Sequence, residues 1–117
     1  MATPLYKLKA EFFKTLSHPA RIRILELLAI GPRSVSELQR EVGLEASHMS
    51  QQLGVLRRAG VVVADKQGTT VIYSMATSDM AELLAVARKL LTGLLNDQVG
   101  LLKDLKASSR AAARSAG

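Results

Sequence analysis

The sequence predicts a mainly helical chain with one small β-hairpin, in the order α-α-α-α-β-β-α. Apolar residues recur at helical spacing in four short segments and one long one. Between the last short segment and the long one, two β-branched runs, 61–66 and 70–75, flank Gln67-Gly68, the composition of a hairpin with glycine at its turn. Proline or glycine punctuates the junctions at Pro19, Gly31-Pro32, Gly43 and Gly60. At 117 residues the chain is long enough for one domain with a real core. That domain is expected over 1–106, with a mobile tail over 107–117.

Thr3-Pro4 reads as an N-cap followed by proline at the first helical position. Leu5, Leu8, Phe12 and Leu16 follow on one face. Ser17-His18-Pro19 ends that helix and starts a second, because proline disfavours helical geometry in the residue before it. There His18 is expected to cap or pack the junction. The second helix carries Ile22, Leu25 and Leu28 and stops at Gly31-Pro32. Ser34-Val35-Ser36-Glu37 matches a capping box that opens a third, short helix. Leu38 and Val42 point it inward, and Gly43 supplies the left-handed residue that ends it.

A fourth helix is expected over about 46–59. Met49, Leu53 and Leu56 line its back at buried-stripe spacing, while Ser47, Gln51, Gly54 and Arg58 lie opposite, with Ser50 and Arg57 to one side. No carboxylate occurs from Ala46 to Ala64. A short helix, a glycine turn and a second amphipathic helix form a helix-turn-helix pattern, and the hairpin over about 61–75 stands where a wing would. The small, amide-rich, cationic front suits insertion into the major groove of DNA. Candidate DNA-contacting residues are Ser47, His48, Ser50, Gln51, Gln52, Arg57 and Arg58 on the helix, and Lys66, Gln67 and Thr69 at the wing tip.

Each has a plainer reading. Glutamine is a good helix former, so Gln51 also fits a solvated surface. Its place amid an acid-free face favours base contact, where its paired donor and acceptor match adenine. Arg57 and Arg58 suit a helix C-terminus on dipole grounds and phosphate contact equally well. For His48, groove-side contact and simple exposure stand level. A polar tip is ordinary for an exposed hairpin, so the functional reading of Lys66 and Thr69 rests on the wing following the recognition helix.

The long segment, about 79–106, is rich in leucine. A helix of that span measures about 42 Å, more than the ~30 Å of a small domain, so part of its apolar surface has nothing in its own subunit to cover it. Self-association through Leu84, Leu91, Leu94, Leu95 and Leu102, helped by Leu5, Leu8 and Phe12 of the first helix, is the expected solution.

Composition narrows the function classes. There is no cysteine, which excludes disulfides, thiol redox sensing and thiolate metal sites. Aromatic residues are 3% of the chain, which removes the stacking platforms of single-strand and RNA-loop binders and predicts an aliphatic core. Net charge is +6, attractive to phosphate without naming the partner. Neither a secretory leader nor a membrane span is expected, so the protein is read as cytoplasmic. Two histidines thirty positions apart do not make a zinc motif, and neither metal nor cofactor is expected. No serine-histidine-acid set, phosphate loop or apolar carboxylate pair marks an enzyme.

With these elements in this order, the chain resembles the ArsR/SmtB family of bacterial winged helix-turn-helix regulators from Leu5 to Lys106. The resemblance is carried by Leu16 through Leu25, by Ser47-His48-Met49-Ser50-Gln51-Gln52-Leu53-Gly54-Val55-Leu56, and by Gly68 through Tyr73. The second stretch is similar to the family's S-x-x-S-x-x-L-x-x-L recognition helix, with Gln51 where histidine is common. Within the family the chain is most similar to a cysteine-free mycobacterial branch linked to hypoxia-related gene control. The resemblance implies a homodimer that represses from an imperfect palindrome and is released by an effector. The family's metal sensors use cysteines at the third helix, or histidines and carboxylates along the terminal one; here the terminal helix has Asp79, Glu82, Asp97 and Asp104 but no histidine. Its persulfide sensors need two cysteines. The resemblance therefore carries repression further than sensing.

The expected function is a homodimeric repressor on double-stranded DNA. Its rivals are a winged-helix protein-interaction module, with negligible affinity for its own upstream DNA, and a sequence-indifferent nucleoid binder, with strong salt dependence and no footprint.

Overall fold

The computed structural model describes the backbone of residues 2–116 and the side chains through residue 111. Its elements are α1 (Leu5–Leu16), α2 (Pro19–Ile30), β1 (Arg33–Ser34), α3 (Val35–Val42), α4 (Ala46–Arg58), β2 (Val62–Gln67), β3 (Thr70–Met75) and α5 (Ser78–Ala116). The chain divides into two compact units, Met1–Glu82 and Leu83–Gly117.

Local chemistry explains most boundaries. Pro4, rather than Thr3, stands at the N-cap of α1 and makes no side-chain cap; its carbonyl accepts from the N–H groups of Lys7 and Leu8. His18 caps α2, its Nδ1 accepting the Ala20 N–H at 3.1 Å, with Pro19 at the first helical position. The capping box of α3 is complete: Ser34 Oγ accepts the Glu37 N–H at 3.2 Å, and the Ser34 N–H donates to Glu37 Oε1 at 3.4 Å. Gly43 ends α3 at φ 79°, a conformation costly for any side chain with a Cβ.

The element order differs from the expected one by a strand. β1 pairs antiparallel with β3, matching Arg33 to Tyr73 and Ser34 to Ile72, so the hairpin is part of a three-stranded sheet ordered β1-β3-β2. Two residues are too few to show the alternation that reveals a strand. β2 and β3 form the expected hairpin, in register from Val62↔Met75 to Gln67↔Thr70. Its loop is Gly68-Thr69. Positive φ at Gly68 (65°) and at no non-glycine residue is the type II′ pattern that suits strand twist.

Unit 1 holds the core: Leu16, Ile24, Leu25, Leu27, Leu28, Leu38, Met49, Leu53, Leu56, Val61, Val62 and Met80 are buried. All are aliphatic or methionine, as the aromatic content predicts. Leu38, Met49, Leu53 and Leu56 are where periodicity put them, whereas Val42 is only half-buried. α2 meets β3, α3 and α4, and β2 meets α4, which sets the hairpin against that helix.

α5 is longer than predicted. The helix expected to end near Lys106 continues as helical backbone through Ala116. The small residues that suggested a tail include many alanines, the strongest helix formers. Side chains from 112 onward, and so that part of the tail, lie outside the described residues. From Ala85 to Val99 every side chain of this helix is exposed.

Candidate nucleic-acid interface

The surface is built by α4. Its buried back of Met49, Leu53 and Leu56 fixes the rotation of the helix about its axis. Ser47, His48, Ser50, Gln51, Arg57 and Arg58 are consequently exposed, as read from the sequence. Gly54 is half-covered because Arg58 folds back over it: a Cβ at Gly54 would lie 3.3 Å from Arg58 Nη1.

Gln52 sits differently. It is half-buried on the flank facing α2, and its Oε1 accepts from Arg21 Nε at 2.7 Å. Arg21 also donates through Nη1 to the Thr15 carbonyl at 3.0 Å, so one guanidinium ties the end of α1 to α2 and α4. Arg21 was absent from the sequence-predicted site; its partner lies 31 positions away, beyond any local pattern. An open cleft of about 280 Å³ lies beside this link, lined by His18, Ala20, Leu44, His48, Gln51 and Gln52.

At the wing, Lys66, Gln67 and Thr69 are all exposed. Strand alternation puts Asp65 and Gln67 on one face and Lys66 on the other. Gln67 Nε2 donates to Asp65 Oδ2 at 3.3 Å, so one of the predicted contacts is engaged within the wing. Lys66 is turned away from that carboxylate.

Electrostatics favour an anionic partner. Among the described residues the ion pairs are Arg23–Glu26 and Arg33–Glu41, and neither draws on the recognition helix or wing. Arg57, Arg58 and Lys66 thus carry charge that no carboxylate neutralises. The Arg33 pair (3.4 Å) instead clips the strand before α3 to that helix, with Arg33 Nη1 donating to the Gly31 carbonyl at 3.0 Å.

The residues expected at a self-association surface separate into two groups. Leu5, Leu8, Leu91, Leu94, Leu95 and Leu102 are more than half exposed, Leu94 at 58%. Phe12 and Leu84 are half-buried. Several large apolar residues outside the predicted set are equally open, among them Phe13, Leu90, Leu101 and Leu105. Paired leucines along α5 make its apolar arc broad, and the exposed leucines extend beyond the expected five. Among the described residues no group of three His, Cys, Asp or Glu could hold a metal ion, and no helix is long and apolar enough to cross a membrane.

Residues 16–63 match the model of a helix-turn-helix domain family. An HTH-type transcriptional regulator of Mycobacterium tuberculosis, Rv0081, is 66% identical over 109 residues, covering 92% of this chain and 96% of the relative. The crystal structure of M. tuberculosis Rv0081 superposes with a TM-score of 0.79 at 68% identity, over 84% of this chain and 99% of that one. A solution structure from Mycobacterium bovis, described as a homodimeric winged helix-turn-helix DNA-binding domain of a possible ArsR-family regulator, gives a TM-score of 0.72 at 32% identity, over 78% and 84%. The biofilm growth-associated repressor of Xylella fastidiosa is 37% identical over 75 residues, 64% of this chain and 66% of its own length. With the helix-turn-helix, the wing behind it and these relatives together, the chain belongs to the ArsR/SmtB family of winged helix-turn-helix, DNA-binding transcriptional regulators.

Proposed function

We propose that the protein is a homodimeric repressor that occupies a palindromic operator, with α4 in the major groove and the wing on the adjacent backbone. The observation that carries this docking is the acid-free front of α4, open to solvent while its back is locked in the core. Ser47, His48, Ser50 and Gln51 face the bases, Arg57, Arg58 and Lys66 the phosphates. Gln67 and Thr69 serve the wing contact, Gln67 only after leaving Asp65. A dimer is supported by the apolar arc of α5 and by the homodimeric M. bovis neighbour, repression by the X. fastidiosa relative's name. Blocking a promoter needs no chemistry, so the protein works by occupancy, in the cytoplasm where the DNA is.

Footprinting on the protein's own upstream DNA across a salt series tests this reading. A protected palindrome with half-sites about 34 Å apart, or a multiple of it, is expected. Uniform coverage of promoter and competitor DNA would make it a nucleoid-type binder. Absence of binding at low salt would make the fold a protein-interaction module.

A further inference from the structure

Gln52 has one feature that its neighbour Gln51 lacks: its side-chain oxygen is occupied. Arginine has only donors, so the amide must turn Oε1 towards Arg21 Nε, and does so at 2.7 Å. The amide nitrogen then points the other way about the same carbon, and the Gln52 side chain lines the open cleft shared with Gln51 and His48. Arg21 is in turn held by the Thr15 carbonyl at 3.0 Å, and no carboxylate among the described residues pairs with it.

We propose that Arg21 is a specificity-determining positioning residue: by turning the Gln52 oxygen towards α2 it leaves the Gln52 amide N–H groups to meet the groove. Free glutamine can present donor and acceptor together, the arrangement that suits adenine. With its oxygen turned to Arg21, Gln52 favours guanine, with acceptors at N7 and O6, or thymine, with O4, over adenine, whose single N7 acceptor stands beside the N6 donor. Gln51 is exposed and has no hydrogen-bond partner among the described residues, so it retains the paired mode. Two adjacent glutamines on one helix thereby ask different questions of the groove, and the difference comes from a residue on α2. This rests on the docking of α4 proposed above.

The test is a base-preference profile, measured on a library randomised across the protected half-site, for wild type, Arg21→Met, Gln52→Ala, Gln52→Glu, the Arg21→Met/Gln52→Ala double variant, and Gln51→Ala. Arg21→Met keeps an unbranched apolar stem about as far as the Nε position and removes the hydrogen bonds. It should relax discrimination about tenfold at one half-site position, the lower end of what one base contact contributes. Gln52→Ala should relax the same position, and the double variant should match Gln52→Ala alone. Gln52→Glu keeps an acceptor for Arg21, so the fold is retained, but it has no donor for the groove and should lose the guanine-or-thymine preference there. Thermal melting of each variant separates folding from reading. An unchanged profile for Arg21→Met beside a lowered melting temperature would show a structural role alone and overturn the proposal. If Gln51→Ala also left every position unchanged, the groove docking would fall, and this proposal with it.

Discussion

Arg58 lying over Gly54 places a guanidinium across the middle of the reading face, at a position where any β-carbon would crowd it. Gly54→Ala should raise stability by about 0.5–1 kcal/mol, since glycine inside a helix costs that much relative to alanine and the crowding atom is the far end of a flexible chain. The same methyl displaces Arg58 on the groove side, so operator affinity should fall several-fold. A urea titration beside a binding isotherm checks both signs, and a variant that binds as well as wild type would remove Arg58 from the interface. Ser34→Ala is the complementary case. It strips the capping box from α3 at a residue only 8% exposed and should cost about 1 kcal/mol in the same titration. Operator preference should be unaltered, because α3 presents nothing to the bases. The Ser34–Glu37 box was legible in the sequence because its partners are three positions apart. The Arg21–Gln52 bond was not, because only the folded chain brings those positions together.

Among the elements, α4 agrees with its sequence reading because its buried back has a visible period, and the wing because β-branched runs flank a glycine turn. β1 is too short to show a period, and α5 runs past Lys106 because the small residues beyond it include alanines, which favour helix. The wing also carries a fact that composition hid. Asp65 engages Gln67 on one face, leaving Lys66 as the unpaired cation near the tip. Lys66→Ala should therefore weaken binding to all DNA sequences alike and reduce the slope of log affinity against log salt by about one. Gln67→Ala should change that slope little. Competition titrations at several salt concentrations read the difference. A base-specific effect of Lys66→Ala would mean that the wing enters a groove instead of resting on phosphate.

For the whole molecule, the question is what covers the apolar arc of the second unit. Leu90, Leu91, Leu94, Leu95, Leu101 and Leu102 lie more than half open, more apolar surface than an isolated helix sustains in water. Leu94→Lys should shift sedimentation from dimer towards monomer and make operator binding steeply dependent on protein concentration, while the unit 1 core and its helical signal persist. A variant that stays dimeric with wild-type affinity would move the interface elsewhere.

The sequence by itself determined the winged helix-turn-helix class, the break between α1 and α2, the capping box of α3, the inward face of α4 and the absence of thiol chemistry. All of these depend on residue type or on residues a few positions apart, where backbone sterics and periodic burial act directly. Only the tertiary structure decided that β1 joins the sheet, that Gln52 is tethered while Gln51 is free, and that Arg21 belongs beside the reading helix. Those depend on distant segments returning to each other. That return is set by how the whole aliphatic core packs, and no short window of residues contains it.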